Sequence, residues 1–105
     1  MEKKELDWGN IGFTYMTTDK RYVAEYKDGA WGEGALTSDP NVVINECAGI
    51  LQYCQECFEG LKAYTTEDGS IVTFRPDLNA ERMMDSAARL EMPPFPKERF
   101  LEAVD

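Results

Sequence analysis

A chain of 105 residues and 11.9 kDa should fold to an accessible surface of about 5,900 Å², burying about 65% of what the unfolded chain exposes, which suits one compact domain. Apolar residues at 43% and charged residues at 30% exclude a disordered or fibrous chain. A formal charge of -9 repels phosphate backbones and anionic lipid, so neither nucleic acid nor a membrane is expected as a partner.

The excess of acid is even: residues 1–52 hold 9 acids and 5 bases, and residues 53–105 hold 11 and 6. There is no histidine, which removes Ser-His-Asp triads, Cys-His pairs and HExxH zinc sites together. Any chemistry must use Lys, Tyr, carboxylates or a cofactor. The polar start over residues 1–5 reads as a flexible tail. No apolar run reaches the roughly 18 residues of a membrane span, so the expected location is the cytoplasm.

Residues 6–20 mix Gly, Thr and aromatics without a period and read as ordered but irregular. Arg21 to Lys27 is rich in β-formers and is followed by Asp28-Gly29, a two-residue hairpin turn into Ala30-Trp31. After Gly32-Glu33-Gly34 and a turn at Ser38-Asp39-Pro40, Asn41 to Ile44 reads as a short strand. Cys47, Ile50, Leu51, Cys54, Cys57 and Phe58 form a stripe at helical spacing that Gly60 would end. Leu61 to Thr66 and Ser70 to Arg75, around Asp68-Gly69, alternate as a second hairpin. Strand, helix and strand together imply a mixed sheet with a helix on one face.

Pro76 at the first helical position, Asp77 and Glu81 nearby, and the stripe Ala80, Met83, Met84, Ala87 and Leu90 predict a second helix. Pro93-Pro94-Phe95-Pro96 stops it. Lys97 to Asp105 opens a further helix that ends without a cap, so the polypeptide is expected to be the first part of something longer. The fold class is α+β: a largely antiparallel sheet with two or three packed helices, as one small domain over residues 1–105.

Four features invite a chemical reading. Cys54-Gln55-Glu56-Cys57 is a CxxC, but it lies late in its predicted helix and only Cys47 remains to complete a metal set, so the three thiols are expected to be buried and structural. Lys62 sits between Leu61 and Ala63, where alternation turns it toward solvent and away from the desolvated setting a nucleophilic amine needs. Arg75 closes a strand just before a helix start, so an anion there would meet a guanidinium and free backbone donors; the residues alone also allow a surface charge. Tyr53 lies off the stripe of its helix and faces either solvent or a ligand cleft.

At Tyr53-Cys54-Gln55-Glu56-Cys57-Phe58-Glu59-Gly60-Leu61-Lys62-Ala63-Tyr64, and again from Phe74-Arg75-Pro76-Asp77 to Met83, the chain closely resembles the branched-chain amino-acid aminotransferases, fold type IV pyridoxal-phosphate enzymes. Leu6-Asp7-Trp8, Gly12-Phe13, Thr18-Asp19, Lys27-Asp28-Gly29, Arg89-Leu90 and Met92-Pro93 extend the resemblance to nearly the whole chain. It implies a small N-terminal α/β domain of a homodimer, facing a larger C-terminal domain that supplies the catalytic lysine. It also implies that Arg75 holds the phosphate of pyridoxal phosphate, and that Phe13, Tyr53 and Phe58 wall the pocket for a branched aliphatic side chain. The substrates implied are Leu, Ile or Val with 2-oxoglutarate. No catalytic residue is assigned within the chain, so alone it is expected to be inactive.

Four positions depart from the family pattern: Cys54 stands where Gly is usual, Lys20 where Tyr or His is common, Thr65 where Arg often follows Ala-Tyr, and Asp85 where Arg is frequent. A rival reading is a stand-alone acidic interaction domain that keeps the fold without catalysis. A domain made to be covered should show a large bare apolar patch, and an evolved small module should not. A third reading, a D-amino-acid aminotransferase or an aminodeoxychorismate lyase, fits less well with Leu6-Asp7-Trp8 and Lys27-Asp28-Gly29.

Overall fold

The computed structural model describes residues 5–105. Of the tail read over residues 1–5, all but Glu5 lies outside the described residues. A turn of 3₁₀ helix at Trp8–Asn10 is followed by strands β1 (Arg21–Val23), β2 (Tyr26–Lys27), β3 (Ala30–Trp31) and β4 (Ala35–Thr37). Then come helix α1 (Gly49–Tyr53), strands β5 (Ala63–Thr65) and β6 (Ile71–Thr73), and helices α2 (Pro76–Arg89) and α3 (Lys97–Val104). The class is α+β, as expected.

Both hairpins form. β2 pairs antiparallel with β3 around Asp28-Gly29, and β5 with β6 around Asp68-Gly69, with Gly29 and Gly69 at φ of 82° and 84°. Such values are open to glycine at no steric cost, which is why the sequence places it there. The stretch read as one strand from Arg21 to Lys27 is interrupted at Ala24-Glu25; its first part pairs with β4 instead, Tyr22 opposite Leu36. Gly34 is needed for that crossing, because a Cβ there would stand 1.8 Å from the Tyr22 ring.

The expected mixed sheet is corrected to three separate two-stranded ladders, all antiparallel. Asn41 to Ile44 is not a strand: Arg21 donates to the backbone carbonyls of Asp39 and Asn41 and holds this segment as a loop. The helix read over Cys47 to Phe58 is also corrected. It ends after Tyr53, because Cys54 adopts φ 51°, ψ 35° and turns the chain out of the helical path. From Cys57 to Leu61 burial then alternates, with 57, 59 and 61 half-buried and 58 and 60 exposed, the period of an extended chain.

That extended strap runs along α2. Gln55 Nε2 donates to the Leu90 carbonyl at 2.9 Å near the end of the helix, and Glu59 meets Asn79 and Arg82 near its start. Helix α2 begins at Pro76, as predicted, and closes with Glu91 in the left-handed region at φ 56°. The amide of Met92 reaches the Ala87 carbonyl at 2.8 Å and that of Glu91 the Ala88 carbonyl at 3.1 Å, the paired bonds of a Schellman stop. The prolines then carry the chain into α3, which packs on α2 and is tied to it by Lys97 and Glu81 at 2.5 Å.

The β2–β3 hairpin docks on this helical corner through aromatic rings. Trp31 meets Phe95 edge-on at 4.9 Å and Tyr26 at 5.2 Å, and its Nε1 donates to the Pro94 carbonyl at 2.9 Å. The Arg99 guanidinium lies 5.2 Å from the centre of the Phe95 ring and donates to the Gly32 carbonyl at 2.6 Å.

The fully buried apolar core amounts to Ala80 and Ala87, with Asn79 as a buried polar neighbour. The accessible surface is 9260 Å², far above the about 5,900 Å² of a compact domain of this mass. The radius of gyration is 15.8 Å against about 13 Å expected for this length. The expectation of a compact burial is therefore not met: the three ladders do not stack, and packing is concentrated at α2, α3, the strap and the aromatic corner. Phe13, Val43, Tyr53, Phe58 and Phe74 stand almost wholly exposed.

Candidate functional site

Arg75 occupies the residue before α2 with φ 48° and ψ 53°, left-handed values for the last residue of the Ser70–Arg75 run that was read as strand. The turn folds its side chain back over the helix start, where Nε and Nη2 donate to the two carboxylate oxygens of Asp77 at 2.9 and 2.7 Å. This charge-assisted pair holds the Asp77 carboxyl down at about 2, the Arg75 hydrogen bond being the largest cause. Arg75 is still 56% exposed. Of its five N–H donors two face Asp77, leaving three for a ligand.

Arg75 lines a cleft of about 320 Å³ with Lys62 and Arg82 as its other cations, and Asn79, Tyr64 and Phe74 among its walls. Lys62 is exposed at this rim, as alternation predicted. Arg82 is paired in the same two-pronged way: Nε and Nη2 donate to Glu59 at 3.0 and 2.8 Å, and Asn79 Nδ2 adds a third bond to Glu59 at 2.8 Å. These contacts, Arg82 first, hold the Glu59 carboxyl below its usual range against desolvation. The cleft therefore offers two arginines, each paired through two of its five donors, and Lys62, which has no ion pair among the described residues. A phosphate ester fits such a donor set, because charge, room and unused N–H groups coincide at Arg75.

Phe13, Tyr53 and Phe58 each open to solvent, Tyr53 at 85% and Phe58 at 88% exposure, and no ring contact joins them among the described residues. Tyr53 closes α1, and Phe58 projects from the strap on the side away from α2. The thiols are not the buried set expected. Cys47 and Cys54 are exposed, and only Cys57 is half-buried, lining an apolar cavity with Met83 and Ala87. Cys54 is exposed because it is the residue that breaks the helix. Among the described residues no group of three or more His, Cys, Asp or Glu is placed to hold a metal ion, and no helix is long and apolar enough to cross a membrane.

Sequence reasoning did not single out Glu59, Asn79 or Arg82, which form the most connected polar cluster beside the cleft. No signal in the sequence marked them, because Cys57-Phe58-Glu59-Gly60-Leu61 does not alternate in polarity and the alternation there is one of burial in the folded chain.

These observations define an α+β unit with a cationic cleft at one helix start and many large apolar side chains left exposed. No protein-family model matches the chain. Against curated proteins it is 55% identical over 100 residues to the branched-chain-amino-acid aminotransferase of Haemophilus influenzae, an alignment covering 95% of this chain and 29% of that protein. The enzyme of the same name from Helicobacter pylori is 46% identical over 100 residues, with the same two coverages. The chloroplastic branched-chain-amino-acid aminotransferase 5 of Arabidopsis thaliana is 45% identical over 104 residues, 98% of this chain and 25% of that protein. The chain is thus homologous to branched-chain aminotransferases over nearly all of its length, as the resemblance implied, and spans between a quarter and three tenths of the relatives it matches.

Proposed function

We propose that this chain is the N-terminal small domain of a branched-chain amino-acid aminotransferase, which passes the amino group of Leu, Ile or Val to 2-oxoglutarate with pyridoxal phosphate as cofactor. The observation that carries the reading is a cationic cleft at Arg75 in a chain that leaves many large apolar side chains exposed. When bound, pyridoxal phosphate supplies the electron sink for the transfer, and protein groups bind and orient it. Arg75 holds the phosphate through its unused N–H donors, with Lys62 adding positive potential at the rim.

Phe13, Tyr53 and Phe58 supply apolar wall for an aliphatic side chain. Such walls tell Leu, Ile and Val apart by methyl-sized differences worth roughly 1 to 3 kcal/mol. They do so only when something covers them, and in this reading that cover is a C-terminal catalytic domain, together with a second subunit. The nucleophilic lysine belongs to that domain: Lys62, exposed at the rim of the cleft, has none of the burial that activates an amine. Free rather than cross-linked thiols at Cys47, Cys54 and Cys57 suit a reducing cytoplasm.

The exposed apolar side chains also separate this reading from a stand-alone interaction domain, since a module evolved to live alone would not leave Phe13, Val43, Tyr53, Phe58 and Phe74 all in water. The test is a transamination assay on the full-length protein with leucine and 2-oxoglutarate. Glutamate formation that needs pyridoxal phosphate and fails with Arg75→Gln at limiting cofactor supports the proposal. Absence of cofactor binding by the full-length protein overturns it.

A further inference from the structure

Phe58 has no packing of its own to fix its ring, since it is 88% exposed, so the anchors on either side of it set where it stands. On one side Gln55 is tied to the Leu90 carbonyl, and Cys57 faces Met83 and Ala87 across an apolar cavity. On the other side is Glu59, half-buried, which accepts three side-chain N–H bonds, two from Arg82 and one from Asn79. Asn79 also donates to the Gly60 carbonyl at 3.1 Å, so two successive residues of the strap are gripped by one buried amide. Asn79 and Arg82, at i and i+3, share one face of α2, and with Arg75 just before the helix they line the same cleft.

We infer that Glu59 is a positioning residue of the proposed site: clamped by Arg82 and Asn79, it fixes the place of Phe58, at the substrate side chain, relative to Arg75, at the cofactor phosphate. The inference rests on the functional reading above.

The test uses Glu59→Gln, Arg82→Met and the double variant in the full-length aminotransferase, with two readouts. In steady-state kinetics each single variant raises KM for leucine about tenfold while kcat falls less than about threefold, the split of a misplaced binding wall. Cofactor affinity stays within about twofold. The double variant is no worse than either single one, because all three break the same contact. In limited proteolysis, cleavage within the strap over residues 57–61 speeds up to the same degree in all three. Arg82→Lys keeps the charge while losing the two-pronged contact, so it gives the same KM rise in a protein that folds even where Glu59→Gln does not. An unchanged leucine KM, or additive effects in the double variant, overturns the inference. A wild-type protein with no transaminase activity instead overturns the functional reading and the role of Phe58 with it, and the cleavage rates then still decide whether the clamp holds the strap.

Discussion

The carboxylate of Glu59 accepts Nε–H and Nη2–H of Arg82, 23 residues further along the chain, at 3.0 and 2.8 Å, and this joins the irregular strap to the first turns of α2. Asn79, only 7% exposed, completes the contact from the side. Replacing it by alanine leaves the Gly60 carbonyl and one Glu59 oxygen short of a donor. Asn79→Ala should lower the free energy of urea unfolding by about 1 to 2 kcal/mol without changing the slope. An unaltered midpoint would mean that water replaces the amide at no cost.

Cys54 sits at φ 51°, where an L side chain is strained and glycine is not. The left-handed conformation costs a non-glycine residue about 1 to 2 kcal/mol, partly offset by the greater entropy that glycine loses on folding. Cys54→Gly should therefore stabilise the chain by about 0.5 to 1 kcal/mol, read as a higher midpoint in urea. A lower midpoint would show that the thiol makes a contact worth more than the strain.

The same residue shows how far the sequence could be read. The departure from the family pattern at Cys54 was visible, and the helix was nonetheless drawn through it, because the stripe from Cys47 to Phe58 matches helical spacing and backbone handedness leaves no mark in a stripe. The two hairpins, the Pro76 start and the Pro93 stop were legible because Asp-Gly turns and prolines act locally through φ. The separation of the ladders was not, since it depends on apolar faces that this segment leaves uncovered. For the candidate site, Arg75 could be picked out from the strand-to-helix boundary, but its pairing with Asp77 required the left-handed turn, and the Glu59 clamp required the strap to lie on α2.

Asp77 is the group whose titration bears on the cleft. Its pKa is about 2 in the folded chain against an ordinary 3.8, so whatever stability its pairing gives is complete above pH 3.8 and is lost as pH falls through 2. The pair is partly exposed and screened, so the contribution shrinks in salt. Across neutral pH Asp77 stays charged and competes with a bound anion for Arg75. Asp77→Asn should accordingly tighten the binding of inorganic phosphate several-fold in a calorimetric titration. Weaker binding would show that the carboxylate orients Arg75 more than it competes.

Arg75→Gln keeps side-chain length and some hydrogen bonding but removes the charge. In the full-length protein it should weaken the affinity for pyridoxal phosphate roughly 10- to 100-fold, as expected for loss of charge-assisted bonds, while kcat at saturating cofactor changes much less. Unchanged affinity would move the phosphate site elsewhere.

The most direct test of the division of labour proposed here is to incubate the 105-residue chain with pyridoxal phosphate, leucine and 2-oxoglutarate, follow glutamate, then reduce with borohydride and map the labelled peptides. The account predicts no turnover and only scattered lysine labelling, because this segment contributes a phosphate contact and a substrate wall but not the nucleophile. Turnover with a single labelled lysine would contradict it.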